Sequence, residues 1–325
     1  MLDGHKRVID YLRISVTDRC NLRCLYCMPP EGVPWTPHQD ILTYEELLRL
    51  AEIFAGLGIK KIRITGGEPL VRRGLTEFLK WLKEVPGIEA LSLTTNGLLL
   101  AEQLPGLAEA GVGGINISID ALEEERYRQI TGGYGASKAL AALDQALSCP
   151  GMNVKLNCVP VGLNDDQLPL LAALAKDRPL AVRFIELMPI GLGKGLECRT
   201  EEQVRRMLEE SFGALKPVQG PPGSGPGRYF SLPGFQGRIG FISALSHQFC
   251  EHCNRVRLTS GGFLKTCLQY ERGADLKSLL RSGAPDREIR DAISGAVRDK
   301  PASHHFRDGA GGQDLERHIM SQIGG

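Results

Sequence analysis

Two hydrophobic periods take turns along the first 190 residues. Six short, β-branched runs of period two are separated by longer stretches in which apolar residues recur at three- and four-residue intervals. The runs are YLRISV (11–16), KKIRIT (60–65), ALSLTT (90–95), GINISI (114–119), NVKLNCV (153–159) and LAVRFIE (180–186), and each predicts a strand. Helices are predicted over TYEELLRLAEIFAGLG, GLTEFLKWLKEV and AEQLPGLAEAG, on either side of TGGYG, and over DDQLPLLAALAKD, with Thr43 and Asp165 as N-caps. Alternation of this kind is the signature of βα units on a parallel sheet. The residues at and just beyond the carboxyl ends of the runs are polar and glycine-rich: Gly66 to Pro69 (GGEP), Asn96 and Gly97, Ser118 and Asp120, Glu186 and Met188. In a parallel barrel those ends carry the active site. Beyond Ile190 the alternation fades. One further helix is predicted in EEQVRRMLEE, and GPPGSGPG (220–227) has the composition of a flexible loop or linker. A boundary near residue 190 is therefore expected, between an α/β unit over 1–190 and a smaller C-terminal region over 191–325.

Charge narrows the partners. The 325 residues carry a net charge of +1 with 24% charged side chains, so no global basic field points to nucleic acid, and an anionic ligand has to be gripped locally. The N-terminal MLDGHKRVIDYLRISV has no continuous apolar h-region, and no window approaches the roughly 18–20 apolar residues of a membrane span. The expectation is a cytoplasmic protein with neither nucleic-acid nor membrane partners. Nine cysteines in such a compartment are reduced thiols, suited to metal or catalytic use rather than cross-linking. Cys149, Cys158 and Cys198 are scattered and read as small buried apolar side chains.

The other six form two triads, Cys20-x3-Cys24-x2-Cys27 and Cys250-x2-Cys253-x13-Cys267. A structural zinc site usually takes four ligands. Three thiolates instead hold three corners of a [4Fe–4S] cubane and leave the fourth iron open to an exogenous chelator. In the second triad, His247 or His252 could complete a Cys3His zinc site. Against that, Arg255 and Arg257 alternate in the strand-like NRVRL, which turns both guanidinium groups to one face beside the metal, where a structural zinc needs neither.

The first triad, followed one βα unit later by TGGEP, resembles the radical S-adenosylmethionine (SAM) superfamily. LRISVTDRCNLRCLYCMP, KKIRITGGEPLVRR, LTTNG, INISIDAL, RFIELMP, FCEHCNRVRLTSGG and the terminal IGG, in that order and over nearly the whole chain, resemble the family within it that cyclises GTP at the start of molybdenum cofactor biosynthesis. The resemblance implies a partial (β/α)6 TIM-like barrel with a smaller C-terminal region carrying a second Fe–S cluster. It implies that Cys20, Cys24 and Cys27 ligate one [4Fe–4S] cluster, whose open iron chelates S-adenosyl-L-methionine. Cys250, Cys253 and Cys267 then ligate a second, whose open iron binds guanine. A 5′-deoxyadenosyl radical takes the C3′ hydrogen of GTP, and C3′ bonds to C8.

Tyr26, Gly66, Gly67, Ser118 and Met188 match the family's cofactor contacts. A triphosphate of about −4 charge in a weakly charged protein needs a local cluster of bidentate donors, for which Arg13, Lys61, Arg63, Lys155, Arg183, Arg255 and Arg257 are the candidates, with Thr94 and Val256 as further GTP contacts. Arg13, Arg255, Arg257 and the tail residues Gly324 and Gly325 are the implied catalytic residues. A low-potential electron donor, a downstream cyclic pyranopterin monophosphate synthase and homodimerisation complete the family expectations. Three other readings fit parts of the pattern: a radical SAM peptide maturase with an auxiliary cluster, a two-cluster electron carrier, and a zinc-stabilised binding module.

Overall fold

The computed structural model describes residues 1–221, 225–306 and 315–324; Gly325 and part of the 220–227 loop lie outside them. All six runs are strands: β1 (Tyr11–Ser15), β2 (Lys61–Thr65), β3 (Ala90–Thr95), β4 (Val112–Ser118), β5 (Asn153–Cys158) and β6 (Ala181–Ile185). Each pairs in parallel with the next. Between them run α1 (Tyr44–Gly56), α2 (Leu75–Lys83), α3 (Leu100–Glu109), α4 (Glu124–Thr131), α5 (Ala136–Leu147) and α6 (Leu168–Ala173). Thr43 caps α1 in a reciprocal box, its hydroxyl accepting from Glu46 N at 3.1 Å while Glu46 accepts from Thr43 N at 2.8 Å. Asp165 is not a cap. It lies in a 3-10 turn ahead of α6 and pairs with Arg199 at 2.6 Å, and the helix begins only at Leu168, where Pro169 suits the first turn.

The C-terminal region does not stand apart from this sheet. After α7 (Glu201–Phe212) come β7 (Lys216–Val218), β8 (Arg228–Ser231), β9 (Arg238–Ile242), β10 (Arg255–Leu258), β11 (Phe263–Lys265) and β12 (Gly273–Asp275), followed by α8 (Leu276–Arg281), α9 (Asp286–Arg298) and α10 (Met320–Ile323). Strand β9 joins β6 in parallel and β10 joins β1 in parallel. The antiparallel hairpin partners β8 and β7 extend one edge, and β11 and β12 extend the other. The strand order is β12-β11-β10-β1-β2-β3-β4-β5-β6-β9-β8-β7. Eight central strands are thus parallel, and the sheet stays open. Its two flanks come from one stretch of chain, 216–275, joined by the loop that holds Cys250 and Cys253.

One alternation runs through every central strand. Leu12 and Ile14, Ile62 and Ile64, Leu91 and Leu93, Ile115 and Ile117, Leu156 and Cys158, Val182 and Phe184, Ile239 and Phe241, Val256 and Leu258 all join a single hydrophobic core. Because successive side chains leave a strand on opposite faces, the intervening residues turn inward. These include Arg13, Thr65, Thr94, Ser118, Asn157, Ile185, Ile242, Arg255 and Arg257, which line a cavity on the other face.

Candidate active site

Both thiol triads open into that one cavity, of about 340 Å³. Cys20, Cys24, Cys27, Cys250, Cys253 and Cys267 line it together with Gly66, Gly67, Thr94, Ser118, Met188, Tyr26, Arg13, Arg255 and Arg257. More than 220 residues of sequence separate the triads. The topology brings them together because β10 returns to β1, the strand that leads directly into the first triad.

The first triad is held by the glycine segment. Gly67 N donates to Thr17 O at 2.7 Å and Glu68 N to Arg19 O at 2.8 Å, which binds the GGEP turn to the start of the cysteine loop. Glu68 is buried and accepts from Leu70 N, Thr95 Oγ1 and Asn96 N at 3.0, 2.8 and 2.7 Å, and burial raises its pKa to about 7. Tyr26 turns its hydroxyl to Asp120 at 2.6 Å, and Asp120 is raised by burial to about 6. Burial, then Asp120 and the neighbouring thiols, pushes Cys24 well up; burial and then Cys20 push Cys27 to about 12. Around the second triad the balance reverses for one thiol. Burial raises Cys253, but Lys300 and Arg255 outweigh it and the net shift is downward.

The inward face between the triads is cationic. Arg13 registers with Arg63 on one side and Arg257 on the other. Burial, opposed by Tyr11 and reinforced by Arg63 and Arg255, lowers Arg13 to about 10, and burial followed by Arg13 and Arg255 takes Arg257 well below the usual arginine range. Lys155 falls to about 8 by burial and the nearness of Arg183 and Arg63. For Tyr11, burial alone would raise the pKa, yet Arg63 and Arg13 outweigh it and bring it to about 8. Arg13 Nε and Arg255 Nε are buried without a hydrogen-bond partner among the described residues.

Not every candidate reaches the cavity wall. Arg63 donates to the Tyr11 hydroxyl and to Thr94 Oγ1 at 3.3 Å, deeper in the sheet. Arg183 is engaged by Asn157 Oδ1 at 2.9 Å. Lys61 sits at the amino end of β2 and pairs with Asp10 at 2.9 Å. Val256 follows the strand alternation to the opposite face and packs in the core, so only its backbone faces the neighbours of Arg255 and Arg257. Gly324 arrives from the tail. Its φ is +79°, its carbonyl accepts from Arg257 Nη1, and a Cβ there would lie 2.9 Å from Ser15 Cβ and 3.0 Å from Thr65 Oγ1. Glu68, within the GGEP segment, and Phe249, within FCEHC, also line the cavity, as do Lys300, His304 and Phe306, for which the sequence offered no signal. Phe249 carries the Arg255 guanidinium 5.2 Å from its ring centroid, and His304 and Phe306 pair at 4.8 Å.

Residues 14–175 match the Radical SAM superfamily and residues 180–306 match Molybdenum Cofactor Synthesis C. The chain is 45% identical, over 100% of both sequences, to a protein of Desulforamulus reducens named GTP 3′,8-cyclase, and 46% identical, again over 100% of both, to one of the same name from Pelotomaculum thermopropionicum. Among solved structures it resembles Streptococcus suis SuiB bound to S-adenosylmethionine, with a TM-score of 0.61 and 16% identity, covering 90% of this chain and 68% of that one. At that identity the likeness is one of fold.

Proposed function

As the chain belongs to the GTP 3′,8-cyclase family of the radical SAM superfamily, we propose that it converts GTP into (8S)-3′,8-cyclo-7,8-dihydroguanosine 5′-triphosphate, the first step of molybdenum cofactor biosynthesis. The observation that carries this reading is the single cavity that both thiol triads line together with Arg13, Arg255 and Arg257. The donor sets fit the implied groups. Cys20, Cys24 and Cys27 are half-buried thiols whose charged forms burial disfavours and iron would stabilise, and Gly66 and Gly67 let their turn close against the Thr17–Arg19 backbone that leads into the cysteine loop. Cys250, Cys253 and Cys267 would hold a second [4Fe–4S] cluster. When bound, the first cluster and S-adenosylmethionine supply a 5′-deoxyadenosyl radical.

The chain's own work is binding and orientation. Arg13, Arg255 and Arg257 offer buried guanidinium forks to the triphosphate, and Lys155, Arg63 and Arg183 add charge from deeper in the sheet. Lys61, held by Asp10, acts through the field rather than by contact, and Val256 offers backbone only. Tyr26, Ser118 and Met188 border the cofactor end together with Gly66 and Gly67. Gly324 brings slender backbone to Arg257; Gly325 lies outside the described residues. Apolar wall residues such as Leu22, Val159, Ile185 and Leu187 exclude water, which keeps the reacting carbon from wandering. The reading divides the chain into a radical SAM unit over 1–190 and a cluster- and GTP-binding region over 191–325. It also expects a low-potential donor, delivery of product to a cyclic pyranopterin monophosphate synthase, a homodimer and a cytoplasmic setting; no helix among the described residues is long and apolar enough to cross a membrane. Anaerobic turnover with GTP deuterated at C3′ tests it: the label must appear in 5′-deoxyadenosine, and its absence refutes the abstraction.

A further inference from the structure

Glu186, the residue after β6, is buried and lines the cavity, yet it faces neutral donors in place of a cation. Its Oε2 accepts from Leu245 N and from Ser246 N, both at 2.8 Å, while its Oε1 accepts from the Ser246 hydroxyl and from Glu201 N at 3.3 Å. Glu201, also buried, continues the arrangement. It accepts from the Ser243 hydroxyl, pairs with Arg228, and lies 3.4 Å from His247 Nδ1. The Glu186 amide donates to Ile242 O at 3.0 Å and prolongs the pairing of β6 with β9. Two carboxylates therefore grip residues 243–247 from one side.

That segment is the covalent link between β9 and Cys250. Ala244, Phe249 and Cys250 line the cavity on the second-triad side, and Leu187 and Met188, directly after Glu186, line it on the cofactor side. Four donors converging on two oxygen atoms define both distance and direction, which a hydrophobic contact of the same size would leave loose.

Resting on the activity proposed above, we infer that Glu186 is a positioning residue that sets the separation between the cofactor end of the cavity, at Met188, and the base end, at Phe249 and Cys250. It touches neither triad. It acts through the loop it clamps, and its effect falls on the alignment of the nucleotide with the radical rather than on either cluster.

Glu186→Gln tests this with little change of shape. The amide places an NH2 group where one pair of donors sits, so either the Leu245 and Ser246 N–H groups or the Ser246 hydroxyl and Glu201 N–H lose their acceptor. Ser246→Ala removes one bond of the same clamp at a residue that does not itself line the cavity, and serves if the first variant folds poorly. Each protein is reconstituted anaerobically. Iron per chain, the electron paramagnetic resonance change of the second cluster on adding GTP, 5′-deoxyadenosine and cyclised product are then measured. The expected result is full iron content and near-normal 5′-deoxyadenosine without GTP. The ratio of product to 5′-deoxyadenosine falls at least tenfold in Glu186→Gln, in keeping with the roughly hundredfold penalty of an ångström-scale misalignment, and the GTP-induced spectral change is altered. Ser246→Ala gives a smaller loss of the same kind, and the double variant is less than additive. A wild-type coupling ratio and spectral response in both variants overturns the inference, as does loss of iron from the second triad, which would make Glu186 a folding residue only. Failure of the unaltered chain to cyclise GTP would instead sink the activity itself, so the two failures are distinguishable.

Discussion

Gly67→Ala is the sharpest perturbation the site offers. A Cβ built on Gly67 lies 2.4 Å from the Arg19 carbonyl oxygen and 2.7 Å from that of Asp18, both backbone atoms that no rotamer change can move aside. An ordinary carbon–oxygen contact is about 3.3 Å, so the two segments must part by roughly 0.9 Å. The bonds from Gly67 N to Thr17 O at 2.7 Å and from Glu68 N to Arg19 O at 2.8 Å cannot both survive that displacement. Losing them costs about 1 kcal/mol each and the overpacking about 1–3 kcal/mol, while a misplacement near 1 Å costs on the order of a hundredfold in a positioned reaction. The assay is anaerobic equilibrium binding of S-adenosylmethionine, with 5′-deoxyadenosine yield under dithionite and a thermal melt alongside. Gly113→Ala is the control, since nothing lies within 4 Å of its Cβ. Affinity within twofold of wild type and an unchanged melting midpoint in Gly67→Ala would refute the claim that this backbone contact builds the cofactor end.

The buried charges predict opposite pH trends for stability and for binding. With Lys155 and Tyr11 both near 8 in the folded chain, below their ordinary values, the unfolded chain binds more protons above pH 8. Stability should climb from pH 8 to 10 while GTP affinity falls as the lumen loses positive charge; denaturant titrations and binding isotherms across that range check it, and Lys155→Met with Tyr11→Phe should flatten both curves. Cys253→Ala should roughly halve the iron content and abolish the spectral response to GTP, with GTP-independent S-adenosylmethionine cleavage retained; loss of that cleavage would contradict a division of labour between the triads. Arg257→Lys gives up the bidentate fork, and the Michaelis constant for GTP should rise at least tenfold with 5′-deoxyadenosine formation in the absence of GTP unchanged.

Local pattern was enough for much of this. Strands β1 to β6 and the strand-like run of β10 stood out because a half-buried strand writes its two faces into alternate residues, and Leu12-Arg13-Ile14 or Val256-Arg257-Leu258 can be read one residue at a time. The first cysteine triad was equally legible, since its three thiols share one loop; in the second, β10 and β11 lie between Cys253 and Cys267. Strand β9 was missed because RIGFI stands without a following helix to complete the βα rhythm. His304 and Phe306, far from any motif, carried no local signal and are brought to the cavity by long-range packing alone, and the pairing of Lys61 with Asp10 was likewise invisible in the sequence.

The chain by itself thus determined the periodicities, the two sets of thiols and the family they signal, all of which rest on neighbours within a few residues. The tertiary structure alone decided that β9 and β10 close onto opposite edges of one sheet, that the two triads share a cavity, and that Arg13, Arg63 and Arg257 stand in one row. Those facts depend on which strands pair across more than 200 residues of chain, and strand pairing is a property of the whole packed sheet rather than of any segment in it.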